Sequence, residues 1–332
     1  MYLPESYQTA LLFMICSMLC WGSWANTMKL CPGYRFQLFY WDYIIGLFVG
    51  ILILGMTLGN SGIIGKPFVR DILSAPSLAI FFAVCGGAIF NVANLLLVAA
   101  IEIAGMAVAF PIGIGIALIV GALSSYLISP QGNPLLLFGG ITLVVVAIIC
   151  DSLAYRTREA ARSGSNVRGI VISVLSGVLM GTFYPLVSKS MALPNAPGPY
   201  ATAFFFVIGT ALCALPVNYF FMRKPIDGGT PVAMSGYTGA PARWHMAGVL
   251  GGAIWVCGAT LNFVASRVNF VGPAISYSIG QGATMVSAFW GVFVWREFAS
   301  PSSRVRNLLV AMFACFLAGL VAIAVAPLYP NQ

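Results

Sequence analysis

Residues 105–117 read GMAVAFPIGIGIA, and residues 272–284 read GPAISYSIGQGAT. The two segments align without a gap: a glycine opens both, and Phe110 of the first matches Tyr277 of the second. Self-similarity within one chain is the signature of a structural repeat. The match therefore predicts that the chain consists of two related halves.

Two further matches occur in the same order along the chain. GGAIF at 86–90 matches GGAIW at 251–255, and GSW at 22–24 matches GTF at 181–183. The alternative is coincidence, because small residues are common in membrane helices. Three collinear matches favour duplication.

The composition indicates that this chain lies in a lipid membrane. Of 332 residues, 60% are hydrophobic and 7% are charged, whereas soluble domains carry about 25% charged residues. The net charge of +8 is typical of cytoplasmic loops in a membrane protein, so we predict no nucleic-acid partner. The eight cysteines show no metal-ligand spacing, and we predict no disulfide, metal or cofactor.

An apolar segment of about 20 residues can cross the hydrocarbon as a helix. The sequence predicts ten such spans, at 6–29, 36–58, 77–100, 104–128, 134–155, 168–190, 200–222, 244–266, 271–295 and 304–326. The first has no basic leader, and we expect a membrane span there and not a cleaved signal.

The distribution of Lys and Arg predicts the orientation. One set of helix ends holds twelve of these residues, and the other holds Lys66, Arg70, Lys189 and Arg267. The first set comprises Lys29, Arg35, Arg156, Arg158, Arg162, Arg168, Arg223, Lys224, Arg243, Arg296, Arg304 and Arg306. The positive-inside rule places it in the cytoplasm, with both termini outside.

Ten spans in two halves give five helices per half. We predict a first repeat over 1–155, a cytoplasmic linker at 156–167 and a second repeat over 168–332. An odd number of helices inverts the second copy in the membrane. Inverted repeats are typical of alternating-access transporters, in which the substrate binds between the halves.

Several motifs resemble the ureide permease family of the drug/metabolite transporter superfamily, near its glucose and ribose porters. They are CWGSWANTMK at 20–29, YWDY at 40–43, AFPIGIG at 109–115 and SYSIGQGATMVSAFWGVFVWREF at 276–298. The resemblance implies ten helices in two inverted halves and proton-coupled uptake of allantoin and related oxo-purines or pyrimidines. The short linker at 156–167 departs from the long central loop of plant members and resembles a compact bacterial form, for which nucleosides or sugars are alternative substrates.

Asp42 is the carboxylate inside the second predicted span. A charged residue within a span costs about 2.5–3.5 kcal/mol on insertion scales and is usually functional. We predict that Asp42 is the proton-coupling residue. The alternative is a structural ion pair with Lys29 or Arg35.

The opening motif and its repeat supply further candidates. Trp24 and Tyr184 are predicted to line the pathway by stacking on a flat heterocycle, and Asn26 is poorly placed to face lipid. Pro185 follows Tyr184 and predicts a broken helix there. The alternative for the tryptophan is an interfacial aromatic belt.

Other polar side chains lie along the third and ninth spans. Asn91 and Asn94 share one face of a helix, and amides match the N–H and C=O groups of a ureide or nucleobase. Hydrogen bonding between helices is the alternative. Tyr277 and Gln281, four residues apart, are predicted to contact the substrate, as is Phe110 at the matching repeat position.

Two groups near helix ends complete the candidates. Glu297 is expected in a structural pair beside Arg296, and His245 is assigned no role. Motifs of metalloproteases, serine hydrolases and phosphate-binding loops are absent from the sequence, so we predict no enzyme.

These observations predict an all-α integral membrane protein. Its function is expected to be secondary active import of a small, neutral, hydrogen-bonding metabolite such as allantoin, a nucleobase or a nucleoside. The alternatives are a sugar porter and, less favoured, a multidrug exporter. Protons and the lipid bilayer are the expected partners, with location in the inner (plasma) membrane; the sequence leaves the oligomeric state open.

Overall fold

A computed structural model describes residues 1–159, 167–225, 229–298 and 301–329. Every regular element in these ranges is helical. The helices are α1 (Tyr7–Ser23), α2 (Phe36–Met56), α3 (Phe68–Leu73), α4 (Ser77–Ala104), α5 (Met106–Ile128), α6 (Pro134–Glu159), α7 (Val167–Ala192), α8 (Pro199–Arg223), α9 (Ser235–Thr238), α10 (Ala242–Ser266), α11 (Pro273–Gly280), α12 (Ala283–Phe289) and α13 (Ser303–Val325).

Within the described part of the chain, nine helical segments are long and apolar enough to cross a membrane. They coincide with nine of the ten predicted spans, so the chain is an all-α integral membrane protein. The first segment changes character along its length, because α1 ends at Ser23 and a 3₁₀ helix continues over Trp24–Leu30.

The ninth predicted span, 271–295, is not one continuous helix. Helix α11 ends at Gly280, α12 begins at Ala283, and a π-helical turn follows over Trp290–Val294. At the break, the Gly282 N–H donates to the Ile279 carbonyl at 2.9 Å, a tighter turn than an α-helix makes. Two glycines flank Gln281, and glycine is a poor helix former. This explains the interruption.

The break predicted at Pro185 is wrong. Helix α7 runs without interruption from Val167 to Ala192 with Pro185 inside it. Proline removes one backbone donor, but neighbouring helices accommodate prolines in membrane helices. Pro185 is itself buried among them, so close packing preserves the helix.

Two glycine pairs bring the helices of the two predicted halves together. A Cβ on Gly87 of α4 would lie 1.9 Å from the Phe206 carbonyl oxygen on α8. A Cβ on Gly252 of α10 would lie 2.0 Å from the Tyr43 carbonyl oxygen on α2. The two GGAI motifs therefore make equivalent backbone contacts, as small residues at helix interfaces do.

The glycines that open the quoted repeat also adopt the same backbone conformation. Gly105 before α5 has φ of 80° and ψ of 156°, and Gly272 before α11 has φ of 78° and ψ of 163°. Side chains rarely tolerate this region, which explains the glycines. Part of the predicted linker, residues 160–166, lies outside the described residues, and the two-repeat division stays a prediction.

Candidate functional site

Two aromatic rings meet at the contact between α4 and α10. Phe90 and Trp255 are the last residues of the GGAIF and GGAIW motifs, and their ring centroids are 4.3 Å apart. Both side chains are almost fully buried. The pairing brings matched residues of the two predicted halves into contact in the core.

Four more rings surround this pair. Phe206 stacks on Trp255 with centroids 5.9 Å apart and planes at 11°, and Tyr43 lies 6.5 Å from Trp255. Trp24 contacts Tyr43 at 4.9 Å. Phe183 makes the corresponding contact with Phe206 at 5.7 Å. We call these six residues the central aromatic cluster: Trp24, Tyr43, Phe90, Phe183, Phe206 and Trp255.

The members of this cluster form three matched pairs. Phe90 matches Trp255, and Trp24 of GSW matches Phe183 of GTF. Tyr43 corresponds to Phe206, because the carbonyl oxygen of Tyr43 lies against Gly252 and that of Phe206 lies against the matching Gly87. The polar groups are distributed unequally, since Tyr43 carries a hydroxyl and Phe206 does not.

In the described structure, four buried polar atoms at this cluster have no partner in good hydrogen-bonding geometry: Trp21 Nε1, the Tyr43 hydroxyl, Asn91 Nδ2 and Asn94 Nδ2. All four carry hydrogens that they can donate. The Asn91 and Asn94 amides lie close to the Cys213 thiol and the Tyr40 hydroxyl, respectively. The Trp21 ring lies 5.9 Å from Trp255. Leaving a buried donor unpaired costs about 1–3 kcal/mol, so four such donors together indicate a site for a ligand with acceptors.

A neighbouring tyrosine holds the Asn91 amide. The Tyr40 hydroxyl donates to Asn91 Oδ1 at 2.8 Å, and its ring stacks on Tyr43 at 5.2 Å. Asn94 lies one helical turn after Phe90 on α4 and is 6% exposed. Tyr40 thus positions Asn91 with its nitrogen unpaired beside the aromatic rings.

The predicted site residues Tyr184 and Tyr277 belong to an adjoining network. Their rings lie 4.8 Å apart, and Phe183 connects them to the central aromatic cluster. The Tyr184 hydroxyl donates to the Asn262 side chain, and the Tyr277 hydroxyl donates to the Ala117 carbonyl at 3.1 Å. Both hydroxyls are therefore engaged within the protein.

The other predicted residues lie at different places. Asn26 accepts a hydrogen bond from Trp295 Nε1 at 2.6 Å, near the helix ends. Phe110 is half-buried on α5 and is not part of the central aromatic cluster. Gln281 occupies the break between α11 and α12, next to Gly280, where an added Cβ would lie 2.7 Å from the Trp21 ring.

Asp42 is buried in α2, with 1% of its surface exposed. Its partners are the hydroxyls of Tyr34 and Tyr237, at 2.9 and 2.7 Å, and the imidazole of His245. The proposed alternative, an ion pair with Lys29 or Arg35, is therefore not what the structure shows. His245, to which the sequence analysis assigns no role, contacts the Asp42 carboxylate.

Glu297 pairs across the helix ends, and not with its neighbour Arg296. It lies 2.6 Å from Lys29 Nζ and accepts a hydrogen bond from the Tyr155 hydroxyl at 2.8 Å. These contacts are consistent with the structural pair expected for Glu297, for which the sequence named no partner. Among the described residues, no group of three His, Cys, Asp or Glu side chains is arranged to hold a metal ion.

Several residues of the candidate site were missed by sequence reasoning: Trp21, Tyr40, Tyr43, Phe90, Phe183, Phe206 and Trp255. The signal for two of them was present, because Phe90 and Trp255 end the matched GGAI motifs. Tyr40 and Tyr43 lie on either side of Asp42 in the YWDY motif, and the sequence analysis of that motif considered only the carboxylate.

Comparison with known proteins is decisive for the family. A family model described as sugar transport protein matches residues 12–326. This chain belongs to that family. It is therefore a multi-pass membrane protein. Its family consists of transporters, which points to transport and away from catalysis.

Curated relatives agree over the full length. Ureide permease 1 of Arabidopsis thaliana is 23% identical, with 98% of each chain covered. Ureide permease 4 of the same plant is 22% identical over 96% of this chain and 97% of its own length. One solved crystal structure superposes with a TM-score of 0.62 at 17% identity, over 95% of this chain and 98% of that one, which shows similarity of fold.

Proposed function

We propose that the protein imports a small, neutral, carbonyl-rich heterocycle by secondary active transport. The observation that carries this proposal is the set of four unpaired donors on Trp21, Tyr43, Asn91 and Asn94 beside stacked aromatic rings. A ureide such as allantoin, or an oxo-purine or pyrimidine, presents several carbonyl acceptors on a flat ring. Rings stack on such a surface, and the donors bind its oxygens.

The names of the relatives support the same class. Four Arabidopsis proteins called ureide permeases match at least 95% of this chain. A nucleobase or nucleoside remains within the class, because it offers the same combination of flat ring and carbonyl oxygens.

A sugar is the second candidate, supported by the description of the matching family. Sugar hydroxyls donate as well as accept, so a sugar site needs acceptors beside its donors. At the central aromatic cluster, Asn91 Oδ1 already accepts from Tyr40. Asn94 Oδ1 and the Tyr43 hydroxyl can also accept hydrogen bonds, so the names of the relatives are what favour a carbonyl-rich heterocycle over a polyol. A multidrug exporter is less favoured, since its cationic substrates bind carboxylates and the cluster contains none.

Transport follows from alternating access between the two predicted repeats. The rings of the cluster are packed against one another, so substrate entry separates them as the halves rock. The equivalent contacts of Gly87 and Gly252 support two related halves. We place the protein in the plasma membrane, the inner membrane of a bacterium, with the arginine-rich helix ends in the cytoplasm and both termini outside.

Proton coupling is assigned to Asp42. It is the buried carboxylate of α2, and its burial is nearly complete. Protonation neutralises a group that is otherwise expensive to hold inside a membrane protein.

Competition binding tests the substrate class. Purified protein in detergent is incubated with labelled allantoin and a hundredfold excess of unlabelled allantoin, uracil, a nucleoside, glucose or ethidium. The proposal expects displacement by one or more of the first three and none by glucose or ethidium. Binding of labelled glucose with no binding of any oxo-heterocycle would establish the sugar alternative.

A further inference from the structure

The Asp42 carboxylate is held by donors from three separate segments. Tyr34 precedes α2, Tyr237 lies in α9, and His245 lies in the first turn of α10. The His245 Nδ1 atom is 2.9 Å from Asp42 Oδ1 and 3.0 Å from Oδ2. We call Asp42, Tyr34, Tyr237 and His245 the Asp42 clasp.

The clasp joins the two predicted halves at one end of the bundle. Asp42 belongs to the first half, whereas Tyr237 and His245 belong to the second. Close approach depends on Gly248, where an added Cβ would lie 2.4 Å from Asp42 Cβ. Opening this end requires the clasp to separate.

Among the described residues, few charged or titratable groups surround Asp42. Besides the three donors, Cys31 lies close enough to interact with it electrostatically, and Arg243 interacts with Cys31. The Cys31 thiol is buried and approaches the Thr27 and Trp244 carbonyl oxygens at 3.8 and 3.7 Å. Cys31 is thus covered by the same closed arrangement.

The tyrosines act only as donors. Burial and the hydrogen bond to Asp42 raise the pKa of Tyr237 to about 12. Burial raises the pKa of Tyr34 further, with the hydrogen bond to Asp42 adding to it. Both hydroxyls therefore keep their protons at neutral pH. An ionised carboxylate accepts several hydrogen bonds, and charge-assisted bonds of this kind are short and strong.

We propose that the Asp42 clasp is a proton-operated gate, closed when Asp42 is ionised and released when it is protonated, with His245 as the proton-exchanging partner. This rests on the proposed function, in which a proton accompanies the substrate. When His245 Nε2 takes a proton from water, the imidazolium passes its Nδ1 proton to Asp42: the N–H bond breaks, an Asp42 O–H bond forms, and that oxygen becomes a donor. The donors of the clasp then compete for fewer acceptor sites, and the contact between α2, α9 and α10 weakens.

The gate returns to its closed state when Asp42 transfers its proton to His245. The Nδ1 lone pair of the Nε2–H tautomer accepts the Asp42 proton, the Asp42 O–H bond breaks, and the imidazolium loses its Nε2 proton to water. The resulting Nδ1–H imidazole donates to the ionised carboxylate, which restores the clasp. The His245 side chain is 28% exposed, whereas that of Asp42 is 2% exposed, so water reaches the imidazole.

Tyr237 has room to move when the clasp releases it. An open surface groove of about 280 Å³ between α2 and α8 borders Tyr237. Because the Cys31 thiol contacts the Trp244 carbonyl, next to His245 in α10, we expect separation of α10 from Asp42 to expose Cys31.

Alkylation of the native Cys31 measures the gate without any substrate. Wild type, Asp42→Asn, Tyr237→Phe and Cys31→Ser proteins are treated with N-ethylmaleimide at pH 7.5, and labelled peptides are quantified by mass spectrometry. Asn cannot ionise, so Asp42→Asn is expected to label Cys31 at least tenfold faster than wild type. Tyr237→Phe removes one donor and is expected to give a several-fold increase.

Asp71→Asn is the matched control. Asp71 is another buried carboxylate, which accepts the Gly198 N–H at 2.7 Å in contacts separate from the clasp. Its substitution is expected to leave Cys31 labelling unchanged. Labelling within twofold of wild type in Asp42→Asn would overturn the gate; if that variant aggregates, the same result in Tyr237→Phe decides against it.

The role of His245 has its own readout. In proteoliposomes, His245→Gln is expected to retain substrate exchange without a pH gradient and to lose at least tenfold of pH-driven uptake. Unchanged pH-driven uptake with an unchanged pH profile would exclude proton exchange through His245. Because labelling needs no substrate, a working gate with no transport would reject the proposed function and leave the clasp intact.

Discussion

At the scale of single residues, the central aromatic cluster combines unpaired donors with stacked rings. Buried polar groups in folded proteins are nearly always paired, and the neighbouring Tyr184 network satisfies its hydroxyls. Trp21, Tyr43, Asn91 and Asn94 differ in this respect. In the proposed function, these four groups serve the substrate and not the fold. Two substitutions separate these effects.

Asn94→Leu removes an unpaired amide and keeps a similar volume. The thermal midpoint of the purified protein is expected to stay equal or rise, because a buried unpaired donor costs about 1–3 kcal/mol. Affinity for the labelled heterocycle is expected to fall about tenfold, the equivalent of one lost hydrogen bond. Ser188→Ala is the control, since Ser188 also has an unpaired buried hydroxyl and is not a member of the cluster. A stability loss in Asn94→Leu with unchanged binding would show that the amide is structural.

Tyr43→Phe and Tyr40→Phe are a matched pair that differ only in position. Tyr43→Phe removes an unpaired hydroxyl and is expected to weaken binding with little change in the thermal midpoint. Tyr40→Phe deprives Asn91 Oδ1 of its donor and is expected to destabilise the protein by about 1–3 kcal/mol. Equal effects on stability in thermal unfolding would contradict the assignment of the free hydroxyl to Tyr43.

At the scale of helices, sequence patterns predict the packing surfaces better than the breaks. The GGAI motifs mark the places where α4 meets α8 and α10 meets α2. Pro185 misleads, because packing inside the bundle keeps α7 continuous. The observed break at Gln281 lies between two glycines. The chain contains many other glycines inside continuous helices, so helix propensity alone does not predict which of them mark a break.

Gly87→Ala tests the close contact between α4 and α8. The new methyl group would meet the Phe206 carbonyl oxygen at 1.9 Å, and overpacking of this kind costs about 1–3 kcal/mol. We expect a thermal midpoint several degrees lower. Gly139→Ala is the control, because an added Cβ there meets nothing within 4 Å, and it is expected to be neutral or stabilising. Equal midpoints for the two variants would argue against the backbone contact.

At the scale of the whole molecule, the matched aromatic pairs come from both predicted halves. The four unpaired donors, on Trp21, Tyr43, Asn91 and Asn94, all come from the first half. Asn91 and Asn94 of α4 stand where α10 has Val256 and Ala259. The sequence predicts both amides and the carboxylate, because each is a polar residue in an apolar span. It does not predict the pairing of Asp42 with His245, since 203 residues separate them and only helix packing brings them together.

The central claim is that the protein is a carrier for a carbonyl-rich heterocycle bound at the aromatic cluster. Counterflow in proteoliposomes tests it most directly, because only a carrier exchanges external label for internal unlabelled substrate beyond equilibrium. With liposomes preloaded with unlabelled allantoin, nucleobase or nucleoside, wild type is expected to accumulate the corresponding label transiently, and Asn94→Leu is expected to do so about tenfold more weakly at low substrate concentration. Absence of counterflow with every oxo-heterocycle, or equal counterflow in Asn94→Leu and wild type, would contradict the account.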